Sequence, residues 1–149
     1  MDVNEQIQTY FSQQPQKKRD DLQRLDTLVR ELLPKARLWF LDGRDETGKV
    51  VSNPNVGYGL QILTYADGKT KEFYQIGISA NTSGIPVYIL GLKDKNFLVE
   101  NFGKELGKAS VTGYCIKFKS LADVKQDVLA AAIRKGAEMT STTVGARPR

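Results

Sequence analysis

The sequence predicts an α+β domain in two layers, an antiparallel β-sheet with N-terminal and C-terminal helices packed on one face. Three observations predict it. Apolar residues recur at helical spacing at both ends of the chain. Between them, from Arg37 to Phe118, the pattern shortens to strand-like alternation. Asp67-Gly68 then separates two such runs, and a two-residue Asp-Gly link makes neighbouring strands antiparallel. Helices at the ends and strands in the middle imply a sheet covered on one side.

Each element has its own reason. Val3, Ile7, Tyr10 and Phe11 share a helical face, so a short amphipathic helix is expected from about Val3 to Ser12. Pro15 opens a second helix, where its missing N–H costs nothing, and Pro34 closes it. The apolar stripe of that helix is Leu22, Leu25, Val29, Leu32 and Leu33, and the Lys17-Lys18-Arg19 cluster at its opening turn reads as solvated. Arg37 to Leu41 is a strand candidate, followed by a polar, turn-rich segment from Asp42 to Asn55. Val56 to Tyr65 and Lys71 to Ser79 form a hairpin around Asp67-Gly68, with a type I′ turn expected. Ile85 to Leu92 supplies another strand, Asn96 to Leu106 a short helix, and Tyr114 to Phe118 the last strand. Ser120 and Asp123 suit the start of the final helix, Val124, Val128, Leu129 and Ile133 its buried stripe, and Gly136 its stop. One domain over residues 1–136 follows, with a loose basic tail over 137–149.

Composition narrows the chemistry. The 149 residues contain no histidine and one cysteine, Cys115. Histidine-based nucleophile systems and histidine-bearing zinc sites are therefore excluded, as are an intrachain disulfide and a cysteine-rich zinc cage. No acid–base pair or cofactor motif is visible, so a non-catalytic protein without cofactor is expected. No apolar run approaches a membrane span and no signal peptide is legible, which makes a cytoplasmic, membrane-free protein the expectation. The net charge of +5 favours anionic partners.

Four features invite a functional reading. Gly103-Lys104-Glu105-Leu106-Gly107-Lys108-Ala109-Ser110 fails as a phosphate-binding P-loop, because three residues separate the glycines and Ala109 replaces the metal-binding hydroxyl. Gly107, Lys108 and Gly113 can still shape a backbone pocket for a small anion. Asp42, Asp45 and Glu46 are the weak candidates for a metal, although Arg44 and Lys49 offset their charge and a polar turn is the better reading. Cys115 reads as a small core residue of a strand. Trp39, Tyr58, Tyr65, Phe73, Tyr74, Tyr88 and Tyr114 lie on strands among Lys69, Lys71, Lys117 and Lys119. Such a pattern can stack single-stranded nucleic acid, but alternation predicts that the rings pack in the core beneath exposed lysines.

The order of motifs resembles the YdhG-like family of domains of unknown function. The matching segments are Val56-Gly57-Tyr58-Gly59, Tyr65, Gly68, Gly77-Ile78-Ser79 and Tyr88-Ile89 in the first half. Leu106-Gly107-Lys108, Gly113, Cys115 and Leu121-Ala122-Asp123-Val124 continue them, so the resemblance spans roughly Val3 to Gly136. Two positions depart from that pattern: Ala80-Asn81-Thr82 stands where Pro-Arg-Lys is common, and Ala109 where histidine is common. The resemblance implies a compact α+β domain. It also implies frataxin-like intracellular iron carriage as an alternative function, because the wider family includes such a chaperone. The leading expectation is a binding protein for a small anionic ligand, with Lys108 as anchor, Gly107 and Gly113 shaping the pocket, and Ser79 and Tyr88 as hydrogen-bonding partners. Weak nucleic-acid binding is the remaining alternative.

Overall fold

The structure, a computed structural model, describes residues 1–141. Helices α1 (Val3–Ser12) and α2 (Gln16–Leu32) open the chain. Strands β1 (Leu38–Leu41), β2 (Asn55–Tyr58), β3 (Gln61–Thr64), β4 (Thr70–Phe73), β5 (Ile76–Ser79) and β6 (Ile85–Ile89) follow. Helix α3 (Phe97–Phe102), strands β7 (Ser110–Val111) and β8 (Cys115–Phe118), and helix α4 (Gln126–Thr140) complete it. Among the described residues, no helix is long and apolar enough to cross a membrane.

Six strands form one sheet in the order β1-β2-β5-β6-β8-β7, every pair antiparallel. Alternation sorts its residues cleanly onto two faces. Val56, Tyr58, Ile76, Ile78, Ile85, Val87, Ile89, Ile116 and Phe118 point to one side and are buried. Against them pack Ile7 and Phe11 of α1, Leu22, Leu25 and Val29 of α2, and Leu129 and Ile133 of α4, all inaccessible to solvent. Each such side chain contributes about 1.5–3 kcal/mol relative to exposure. The expected two-layer α+β architecture is what the chain forms, with the helices on one face.

Polar groups lock the layers in register. The Tyr58 hydroxyl donates to Asp26 Oδ1 at 2.6 Å, and Arg30 Nε reaches the same oxygen at 3.0 Å. Burial, reinforced by the Asp26 carboxylate, raises the Tyr58 phenol well above its ordinary value. The buried Gln75 donates to Ala137 O at 2.9 Å and Thr140 Oγ1 at 3.0 Å, tying α4 to the sheet.

Several local expectations need correction. The long hairpin breaks after Tyr58 and before Gln75, so β3 and β4 leave the main sheet as a separate two-stranded ribbon. Its turn is not type I′, since Gly68 alone has positive φ (86°) and Gly68 N donates to Tyr65 O. That is a type I turn with a glycine bulge, for which Asp67 keeps negative φ and accepts from Lys69 N. The expected helix at Asn96–Leu106 shrinks to Phe97–Phe102, and β7 adds a short edge strand that its two residues could not announce. Ser120 caps nothing with its side chain; it precedes a 3₁₀ turn over Leu121–Asp123, and α4 begins only at Gln126. Gly136 does not end α4. It is buried where the helix crosses Ile89, and a Cβ there would meet the Ile89 side chain. The helix runs on to Thr140, so residues 137–140 belong to the domain and not to a tail. The remainder of the expected tail, 142–149, lies outside the described residues.

Candidate functional site

The sheet face away from the helices carries the notable chemistry. One cross-strand rung runs Trp39, Gly57, Gly77, Tyr88, Cys115 through β1, β2, β5, β6 and β8. The two glycines explain the middle of it. A Cβ at either would collide with the Tyr74 ring, which lies flat across both and is buried. Phe73 lies against Tyr74 with centroids 4.3 Å apart, and Trp39 meets Phe73 edge-on at 5.9 Å. Arg37 sits 4.1 Å over the Trp39 ring and Lys71 4.8 Å over Phe73. At the other end Tyr88 stacks with Tyr114 at 6.5 Å and 11°.

The expectation that the strand aromatics pack in the core holds for Tyr58 and Tyr74 but not for half-buried Trp39, Phe73 and Tyr88 or exposed Tyr65 and Tyr114. Of them only Tyr58 is a core ring facing the helices. Lysines next to a ring in sequence face away from it, but those two residues away share its face, and register adds Tyr88 opposite Cys115. Lys71 and Phe73 are two apart on β4, and Lys117 is two beyond Cys115 on β8, so ring and cation share a face. Burial, with Tyr88 as a neighbour, pushes the Tyr74 phenol far up, and burial also raises Tyr88.

Beside the Tyr88 end, a cleft of about 420 Å³ is lined by Ser83, Lys108, Ala109, Ser110, Lys117, Phe118, Lys119 and Asp123. Three lysines, two serines and one aspartate are among its lining residues. The position of Lys108 follows from backbone pairing. Lys108 N donates to Asp123 O at 3.0 Å, Lys125 N donates to Leu106 O at 2.8 Å, and Gly107 bridges Val124. Gly107 adopts φ +107°, with the Asp123 carbonyl where a side chain would go. Lys117 enters from β8 opposite Ser110, and its Nζ donates to Ser83 Oγ at 3.3 Å.

The sequence-predicted site is thus partly assembled. Lys108 lines the cleft and Gly107 turns the chain into it. Ser79 does not reach it, because its hydroxyl donates to Pro54 O at 2.5 Å beside β2. Tyr88 belongs to the ring stack, and Gly113 lies against the Lys95 backbone. The expected backbone anion pocket is also not formed, since Lys108 N–H and Ala109 N–H are already held by Asp123 O and Gly107 O. Sequence reasoning missed Lys117, Lys119, Ser83 and Ser110 as companions of Lys108. The antiparallel register of β7 and β8 brings Ser110 to Lys117, and the β5–β6 turn brings Ser83.

Cys115 sits half-buried on the open face, not in the core; burial raises its thiol above the ordinary value of 9.0 while Lys117 opposes the shift. A thiol held protonated is a poor nucleophile. Asp45 accepts from Thr47 N, Thr47 Oγ1 and Lys49 N, which lowers its carboxyl below the usual range. Asp42 accepts from Arg44 N. These carboxylates shape a turn, and among the described residues no group of three or more potential metal ligands is assembled. Lys18 is likewise not simply solvated, because it donates to Asn81 O at 2.6 Å and pins the β5–β6 turn.

A larger groove of about 510 Å³ between α2 and the start of α4 is lined by Asp20, Arg24 and Glu31 among others. Two carboxylates outweigh one guanidinium there, so the smaller lysine cleft suits an anion better. No family model, curated protein or solved structure matches the chain.

Proposed function

We propose that the protein is a non-catalytic binding domain of the YdhG-like class that takes an anionic ligand in the Lys108–Lys117–Lys119 cleft. The observation that supports this reading most is the convergence of three lysines from two segments, Lys108 before β7 and Lys117 and Lys119 at the end of β8, with Ser83 and Ser110 beside them. Ammonium donors arranged around a concave site suit phosphate or carboxylate oxygens, and charge-assisted bonds are about twice as strong as neutral ones. Asp123 is the single carboxylate in the lining and restricts how many anionic oxygens fit. Iron carriage has no comparable support, because Asp42 and Asp45 already accept backbone N–H groups of their own turns.

Calorimetric titration with inorganic pyrophosphate tests the proposal. Saturable binding is expected in the wild type, with at least tenfold weaker affinity in Lys108→Ala and in Lys117→Ala. The reading fails if the wild type gives no binding heat, or if both variants bind as well as the wild type.

A further inference from the structure

The open face of the sheet has two properties that the anion cleft alone does not use. It carries rings at both ends of one rung, and cations stand beside both ends, Lys117 of the cleft being two residues beyond Cys115 on β8. From β1 to β8 the rung crosses four inter-strand spacings, about 19 Å. Trp39, half-buried, and Phe73 lie at one end under Arg37 and Lys71. Tyr114, 57% exposed, covers Tyr88 at the other. Tyr74, buried between the two glycines and the Phe73 ring, fills the centre, so the accessible rings stand at the two ends. On β8 the next residue on this face after Cys115 is Lys117, about 6.8 Å further along and already in the cleft.

Planar rings spaced along a track that ends in ammonium groups match a polymer of flat bases and regular negative charge. Sheets that present aromatics in this way stack two or three unpaired bases. Stacking tolerates any base because each has a π-face, whereas a paired duplex hides those faces.

We infer that the open face binds single-stranded nucleic acid, its bases stacking on Tyr114 and on the Trp39–Phe73 pair and its phosphates entering the lysine cleft. This inference rests on the anion-binding reading for its phosphate end and adds the class of ligand. The alternatives, a free small anion or an acidic protein, leave the rings without a role.

Trp39 is the only tryptophan in the chain, so its fluorescence reports on this face directly. The probes are short oligothymidylate, the matching duplex and inorganic pyrophosphate at low salt. Oligothymidylate is expected to quench Trp39, the duplex to bind at least tenfold more weakly, and pyrophosphate to bind without quenching. Tyr114→Ala, at an exposed position that leaves the core intact, should weaken oligothymidylate by at least about fivefold. The same substitution should leave pyrophosphate affinity unchanged. Lys117→Ala should lower the slope of log affinity against log salt by about 0.7. Pyrophosphate binding without any oligothymidylate binding would overturn this inference and leave the anion cleft standing. Oligothymidylate binding insensitive to Tyr114→Ala would also overturn it, and failure of both ligands would remove both readings.

Discussion

Single side chains hold the layers together through groups whose removal has a defined cost. The Tyr58 hydroxyl and Arg30 share Asp26 Oδ1 at a buried position, so Tyr58→Phe leaves that oxygen with one partner fewer. Urea denaturation should show a loss of about 1–3 kcal/mol for this substitution, and no loss would refute the assigned bond. The phenols of Tyr58 and Tyr74 are both held above the ordinary 10.0, chiefly by burial. In the unfolded chain they ionise near that value, while in the folded chain they stay neutral. Stability from this source is therefore intact below pH 10.0 and is lost as pH rises above it. Phenolate absorbance should lag for these two tyrosines until the chain unfolds. A separate titration, alkylation rate of Cys115 against pH, should have its midpoint above 9.0.

Elements meet through close approaches that their own patterns only partly disclose. Gly57→Ala places a methyl group into the Tyr74 ring, and Gly77→Ala does the same from the next strand. Each should destabilise by about 1–3 kcal/mol in thermal or urea unfolding, as overpacked sites do. Gln75→Leu removes both donors that hold the last turn of α4. Amide exchange should then accelerate at Ala137–Thr140 while β5 and β6 keep their protection. The helices α1 and α2 and the strands β1, β6 and β8 were legible, because Ile7, Phe11, Leu22 and Val29 repeat at helical spacing and Ile85, Val87 and Ile89 alternate, whereas the breaks that split Val56 to Tyr65 and Lys71 to Ser79 were not. Boundaries set by partners were not. Gly136 looks like a helix stop until Ile89 is seen pressing on it, and Ser120 looks like a cap until the 3₁₀ turn intervenes. The Asp67-Gly68 link was read correctly as a turn but assigned the wrong type, since type I and type I′ hairpins both accept that pair. At the site, Lys108 and Gly107 could be found in one segment, whereas Lys117 and Lys119 join them only through β-sheet register.

At the scale of the whole molecule, the helices cover one face of the sheet, and the other face holds rings with cations at both ends. That asymmetry concentrates part of the +5 net charge where β7, β8 and the Gly107 turn converge. Attraction of this kind is screened within about 8 Å at physiological ionic strength, so ligand affinity should fall as salt is added. The most direct measurement of the central claim is an amide chemical-shift titration of the labelled protein with pyrophosphate. The account predicts saturable shifts confined to Ser83, Lys108–Ser110 and Lys117–Lys119. Shifts centred instead on the α2–α4 groove around Arg24, or none at saturating ligand, would contradict it.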